Sequence, residues 1–163
     1  MLYFAYGSNM SHRRLRARVP SAEFISLAYL ERHALRFHKR GRDGSAKCDA
    51  YHTGESNDLV IGVVFRIDPG QRQHLDAAEG LGNGYETKPV SLLTPERTLL
   101  EAFTYYATMI DTQLRPFSWY REHVLWGCRE NALPPDYIGR IETISCIEDS
   151  DAGRANRELA IYR

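Results

Sequence analysis

A short segment near the start of the chain carries residues whose backbone can bind an anion. The apolar and aromatic run Leu2 to Tyr6 precedes Gly7, Ser8 and Asn9. The run lacks helical spacing and is typical of a strand buried on both faces. Gly7 can adopt positive φ, and the next two residues hydrogen-bond readily to nearby backbone, so we expect a tight turn. Free N–H groups as far as Met10 can hold a carboxylate or an oxyanion, although an ordinary strand-to-loop turn fits the same residues.

A carboxylate in the middle of the chain has the position needed for proton transfer. Asp68 and Pro69 are typical of a helix start, and Gly80 is typical of the residue after a helix end. Leu75 and Glu79 are four residues apart and therefore share one face of this helix. If Leu75 packs inward, Glu79 is carried toward the interior, where a carboxylate can act as a general acid and base. The alternative is an exposed glutamate at a helix end.

These two segments carry a family resemblance. Tyr6 to Met10, directly after an aromatic strand, resembles the signature loop of the γ-glutamylcyclotransferase-like (AIG2-like) family. Leu75 to Gly80, followed by Tyr85, is similar to the segment that carries the family's essential glutamate and a nearby tyrosine. The resemblance extends over roughly residues 2 to 144 and includes Ala102 to Tyr105, Pro116 to Tyr120, Glu130 to Pro134 and Tyr137. The basic loop Lys39 to Lys47 resembles the bacterial-type members.

The resemblance implies an enzyme that cyclises a γ-glutamyl amine or γ-glutamyl amino acid to 5-oxoproline and releases the amine. This is a lyase or acyltransferase reaction of glutathione metabolism. The substrate's own α-amine attacks its γ-carbonyl, so no protein nucleophile is needed, and the chain lacks GxSxG and HExxH motifs. Glu79 would be the catalytic acid and base. The implied substrate-binding residues are Tyr6, Gly7, Ser8, Asn9, Met10, Tyr85, Tyr105 and Tyr120.

A non-catalytic small-molecule-binding module on the same fold is the alternative function. Such a module would keep the loop around Gly7 but would not need an inward Glu79. The sequence also leaves open the identity of the leaving amine and the group that the loop binds, which is either the α-carboxylate or the oxyanion. It does not decide between a monomer and a homodimer, or whether the loop Lys39 to Lys47 is a lid.

The apolar patterns predict a single α+β domain over residues 1–163. Continuous apolar runs at Leu2 and at Leu59 to Ile67 indicate core strands, and helices are expected at Gln71 to Glu79 and Trp119 to Asn131. Together with the resemblance, this predicts a mixed sheet curled into a small barrel-like core with flanking helices, the γ-glutamylcyclotransferase-like fold. The polar tail from about residue 148 is expected to be peripheral.

Composition narrows the possible partners. The 163 residues carry a formal net charge of zero, which gives no general attraction to nucleic acid or anionic membranes. Arg13, Arg14, Arg16 and Arg18 could contact phosphates, but a solvated helix face is the favoured interpretation. No apolar segment is long enough to span a membrane.

The cysteines indicate the compartment and the cofactor requirement. Cys48, Cys128 and Cys146 are far apart and form no CxxC pair, which fits reduced thiols in a cytoplasmic protein. No metal-ligand spacing occurs among the cysteines and histidines, and the implied reaction has no redox step. We therefore expect neither a metal nor an organic cofactor.

Overall fold

Seven strands form two separate sheets in the computed structural model, which describes residues 1–163, with only the backbone of Ala152 described. The strands are β1 Leu2–Ala5, β2 Glu23–Glu31, β3 His33–Arg40, β4 Ala46–His52, β5 Leu59–Arg66, β6 Tyr85–Leu93 and β7 Leu99–Ala107. Five of them close into a barrel in the order β1-β5-β2-β6-β7, while β3 and β4 form a two-stranded antiparallel hairpin.

The first strand closes the barrel. It lies antiparallel to β5, with Tyr3 opposite Phe65, and parallel to β7, with Tyr3 opposite Phe103. The other barrel pairs are antiparallel, so the sheet is mixed. This confirms the predicted α+β fold with a barrel-like core. The separate hairpin differs from the expected continuous sheet, and a bulge between Phe37 and Lys39 interrupts its register.

Five helices surround the barrel: α1 His12–Arg18, α2 Arg72–Glu79, α3 Ser118–Glu130, α4 Pro135–Glu142 and α5 Ala152–Leu159. Short 3₁₀ turns lie at Ser8–Met10, Pro69–Gln71 and Ala160–Tyr162. Among the described residues, we find no helix that combines the length and apolar character needed to cross a membrane. The start signal predicted at Asp68 is confirmed, since Asp68 caps the turn that leads into α2. Ser11 likewise caps α1.

Close packing of α3 fixes the turn that follows β1. A Cβ atom at Gly127 would lie 2.6 Å from the Met10 Cβ and 2.8 Å from the Ser11 backbone nitrogen. Only glycine leaves room for this approach of α3 to the Ser8–Met10 turn. On the same helix Val124 and Cys128 are fully buried. The turn is therefore held between a barrel strand and a core helix.

Candidate active site

Glu79 lies in the last turn of α2 and points inward, as its spacing from Leu75 predicts. Leu75 is fully buried, and the Glu79 side chain is 17% exposed. Gly80 ends the helix with φ of +75°, a conformation that glycine adopts at little cost. The alternative of an exposed helix-end glutamate is wrong for this chain.

Two donors hold one oxygen of this carboxylate. Asn9 Nδ2 donates to Glu79 Oε1 at 2.7 Å, and an Arg18 guanidinium nitrogen donates to the same oxygen at 3.0 Å. That Arg18 nitrogen also donates to Asn9 Oδ1 at 2.8 Å, so the three side chains form a closed network. Charge-assisted hydrogen bonds of this kind are stronger than neutral ones. The turn after β1 and the end of α2 are thereby fixed against each other.

The solvated face predicted for the arginines of α1 is wrong for Arg14 and Arg18. Both line a cavity of about 330 Å³ beside Glu79, whereas Arg13 and Arg16 are exposed. The reason is that α1 contacts α2, which turns one of its faces toward the cavity. The charge pattern of a single helix does not reveal which acidic groups the neighbouring elements bring to it.

The predicted site residues gather around this cavity, with one exception. Glu79, Ser8, Tyr85 and Tyr120 line both the large cavity and an adjoining one of about 20 Å³. The smaller cavity is also lined by Tyr6, Gly7, Asn9 and Tyr105. Met10 does not line either cavity. Its N–H donates to the Gly7 carbonyl at 3.0 Å and its side chain is fully buried, so this amide is used to close the turn.

The four predicted tyrosines differ in what their hydroxyl protons do. Tyr6 donates to the Tyr105 carbonyl at 2.7 Å, Tyr105 donates to Asp76 at 2.5 Å, and Tyr85 donates to the Cys48 carbonyl. Tyr120 instead accepts a hydrogen bond from the Cys48 N–H at 3.1 Å, and its hydroxyl also lies beside the Cys48 thiol, which is a weak acceptor. Burial raises the pKa of all four phenols, so they remain protonated near neutrality.

Sequence reasoning missed Tyr3, which lines the smaller cavity. Its hydroxyl accepts a hydrogen bond from Asn9 Nδ2 at 3.3 Å, and its ring stacks on Phe103. The sequence placed Tyr3 in a core strand because its neighbours are all apolar or aromatic. Its place in the strand that leads directly into the Gly7 turn is the signal that could have identified it.

The tail after residue 148 forms part of the cavity wall, whereas a peripheral position was expected. Arg154 and Glu158 of α5 line the large cavity. Glu158 Oε2 lies 3.0 Å from an Arg14 guanidinium nitrogen and 3.2 Å from His123 Nε2. Tyr162 contacts the other ring nitrogen of the buried His123 at 2.7 Å. These contacts attach α5 and the 3₁₀ turn after it to α1 and α3.

The Glu158 contacts predict an acid-dependent loss of stability. The hydrogen bond with His123, together with the charge of Arg14, lowers the pKa of Glu158 from 4.5 to about 2. A lowered carboxyl pKa stabilises the fold above the unfolded value, and this stabilisation is lost as the pH falls from 4.5 toward 2. We expect Glu158→Gln to reduce the free energy of unfolding at pH 7 and to do so less at pH 3.5. Urea unfolding at both pH values measures this.

The matched control is Glu96→Gln, which changes an exposed glutamate in the turn between β6 and β7. Its effect is expected to stay within about 0.5 kcal/mol at both pH values. An equal loss of stability for Glu158→Gln at pH 7 and pH 3.5 would show that the carboxylate charge is not what attaches α5.

Comparisons with known proteins agree on one family. The family model described as the AIG2-like family matches residues 59–141. Curated proteins named gamma-glutamylcyclotransferase from Bos taurus and Homo sapiens are each 31% identical over an alignment of 166 positions, which covers 97% of this chain and 85% of theirs. A solved structure titled gamma-glutamyl cyclotransferase has a TM-score of 0.87 at 25% identity and covers 98% of this chain and 97% of its own.

These relatives confirm the resemblance and the fold that it implies. The two curated relatives are mammalian, so the bacterial-type character of the Lys39 to Lys47 loop stays a prediction. The loop itself is shorter than expected, because Lys39 belongs to β3 and Lys47 to β4. The chain belongs to the AIG2-like family and is a homologue of the γ-glutamylcyclotransferases.

Proposed function

We propose that this chain is a γ-glutamylcyclotransferase that converts a γ-glutamyl compound to 5-oxoproline and releases an amine. The observation that carries the proposal is the position of the Glu79 carboxylate. This carboxylate lies at the wall of a cavity that Ser8, Tyr85 and Tyr120 also line, and it accepts a hydrogen bond from Asn9 in the turn after β1. The homologues named gamma-glutamylcyclotransferase support the same activity.

The reaction needs one proton to be removed and one to be supplied. The α-amine of the substrate attacks the γ-carbonyl carbon and forms the ring C–N bond, and the bond from that carbon to the leaving nitrogen breaks. Glu79 takes a proton from the α-ammonium and returns one to the leaving amine. Both Asn9 and Arg18 contact Oε1, so Oε2 is the oxygen assigned to proton transfer. Holding the folded γ-glutamyl chain favours ring closure through effective concentration.

Tyr120 is the tyrosine assigned to the reacting carbonyl. Its hydroxyl accepts from the Cys48 N–H, which fixes the oxygen, and the neighbouring Cys48 thiol is only a weak acceptor, so the proton can hydrogen-bond to the substrate instead. Tyr6, Tyr85 and Tyr105 donate within the protein and therefore act as walls of the cavity. The N–H groups of the Gly7–Asn9 turn provide further donors for the α-carboxylate or the oxyanion.

Tyr120→Phe is expected to lower kcat/KM about tenfold, because one hydrogen bond to the substrate is lost while the ring remains. The control is Tyr106→Phe, a half-buried tyrosine of β7 that does not line either cavity. Steady-state kinetics of both variants measure the effect. Equal rates for Tyr120→Phe and the unchanged protein would assign the hydroxyl to packing alone.

A panel of γ-glutamyl compounds tests the proposed function. It includes γ-glutamyl amino acids, a γ-glutamyl polyamine and a γ-glutamyl alkylamide, and chromatography follows the release of 5-oxoproline. Turnover of at least one member is expected and would identify the class of leaving amine. Saturable binding of panel members without any 5-oxoproline would instead assign the chain to the binding-module alternative.

The proposal also covers metabolic role, location, partners, domain organisation and cofactors. We propose a role in glutathione metabolism and a cytoplasmic location, supported by the three free cysteines, of which Cys48 and Cys128 are buried. No nucleic-acid partner is proposed, because Arg14 is paired with Glu158 and Arg18 with Glu79. The single-domain organisation over residues 1–163 and the absence of a cofactor requirement are part of the same proposal.

A further inference from the structure

Lys39 is a buried cation at the cavity that the proposed reaction does not use. The residue is 4% exposed and lines the large cavity together with Glu79. Its ammonium lies 4.5 Å from the centre of the Tyr85 ring, and a Cβ atom at Gly84 would lie 3.2 Å from Nζ. The bulge that follows Phe37 lies immediately before it, and bulges near active sites commonly redirect a side chain.

The other buried or partly buried cations at this cavity have acidic partners. The pairs are Arg14 with Glu158, Arg18 with Glu79, Lys47 with Asp43 and Arg154 with Asp149. Among the residues whose side chains the structure describes, none forms an ion pair with Lys39, and the charges of Glu79 and Asp43 act on its ammonium only from a greater distance. The Tyr85 ring makes a cation–π contact with the ammonium but carries no compensating negative charge. A buried charge without an acidic partner is costly, so this position favours an anionic ligand.

The surroundings strengthen the attraction for an anion. Arg42 lies beside the end of α2, where a Cβ atom at Gly80 would be 3.3 Å from a guanidinium nitrogen. The buried Lys39 and the exposed Arg42 thus both line the cavity, and the charge of Arg42 acts on Lys39. Burial lowers the pKa of Lys39, and a bound carboxylate would offset that cost of burial.

We propose that Lys39 binds a carboxylate of the substrate beside Glu79 and so determines which γ-glutamyl compounds are bound. This inference rests on the proposed function. A γ-glutamyl substrate offers this chemistry from two sources, namely the α-carboxylate of the glutamyl group and a carboxylate on the leaving amine. Both are planar anions that accept charge-assisted hydrogen bonds from an ammonium group.

Two pairs of probes separate the sources. 5-Oxoproline and its carboxamide differ only in the α-carboxylate, and calorimetry measures their affinities without any turnover. γ-Glutamylalanine and γ-glutamylethylamide differ only in the leaving-group carboxylate, and KM values compare them. The intact protein is expected to prefer the carboxylate member of one pair by about 10- to 100-fold, which corresponds to a hydrogen bond to a charged group.

Lys39→Met is expected to abolish that preference while the affinity for the neutral member stays within about twofold. Lys88→Met is the matched control, since Lys88 is a partly buried lysine of β6 that contacts His33 and does not line the cavity. Loss of preference in the 5-oxoproline pair assigns Lys39 to the α-carboxylate, and loss in the alanine pair assigns it to the leaving group. Unchanged preferences in Lys39→Met would overturn the proposal.

Two further measurements keep the test independent of folding and of the reaction. If Lys39→Met does not fold, Lys39→Gln takes its place in the same measurements. If the unchanged protein shows no preference for the carboxylate member of either pair, that result alone overturns the proposal. If the protein releases 5-oxoproline from no member of the γ-glutamyl panel, the proposed function fails. Calorimetry with both intact compounds then still measures the carboxylate preference, so the two failures are distinguishable.

Discussion

Glu79→Gln is expected to lower the rate of 5-oxoproline release by about 10² to 10⁴ while the fold and substrate affinity are largely retained. Glutamine preserves the volume of the side chain and can still accept hydrogen bonds from Asn9 and Arg18 at its amide oxygen. It cannot take a proton from the substrate ammonium, so the loss falls on kcat rather than on KM. Single-turnover kinetics and calorimetry on the same sample separate the two quantities.

The control for this variant is Glu86→Gln, which removes an exposed carboxylate of β6 and should leave kcat within about twofold. Thermal unfolding shows whether each variant is folded. A folded Glu79→Gln protein with near-normal turnover would mean that Glu79 has a structural role, namely to connect the end of α2 to the turn after β1.

Leu75→Ala is expected to have the largest effect on stability, a loss of about 2 to 5 kcal/mol in the free energy of unfolding. Leu75 is fully buried and is the one buried residue of α2. Its removal leaves a cavity under the helix that carries Glu79. Because α2 then loses its attachment to the core, we also expect kcat/KM to fall even under conditions where the protein stays folded.

Urea unfolding measures the stability of this variant, and Gln73→Ala on the exposed side of the same helix is the control. The control should change stability by no more than about 0.5 kcal/mol. A loss below about 1 kcal/mol for Leu75→Ala would contradict the view that this side chain fixes the position of α2.

Local sequence signals predicted the part of the site that depends on one element at a time. Asp68 and Gly80 mark the ends of the segment that contains α2, and the spacing of Leu75 and Glu79 places the carboxylate on its buried face. These features depend on backbone conformation and side-chain periodicity, which neighbouring residues largely determine.

The features that were not predicted depend on contacts between distant parts of the chain. Arg18 pairs with Glu79, which is 61 residues away in the sequence, and Arg14 pairs with Glu158, which is 144 residues away. Neither periodicity nor charge pattern specifies which helix faces which cavity. Strand pairing likewise depends on distant contacts. It places β1 between β5 and β7 and separates the β3–β4 hairpin from the barrel. Lys39 was assigned to a basic loop because glycines and other basic residues follow it.

The identity of the products formed from γ-glutamylalanine tests the central claim most directly. Cyclisation gives 5-oxoproline and alanine in equal amounts and consumes no water, whereas hydrolysis of the same bond gives glutamate and alanine. Quantitative mass spectrometry after partial conversion distinguishes the two. We predict equal amounts of 5-oxoproline and alanine, with glutamate no higher than in a reaction without enzyme. Glutamate as the main partner of alanine would contradict intramolecular attack by the α-amine and the role assigned to Glu79.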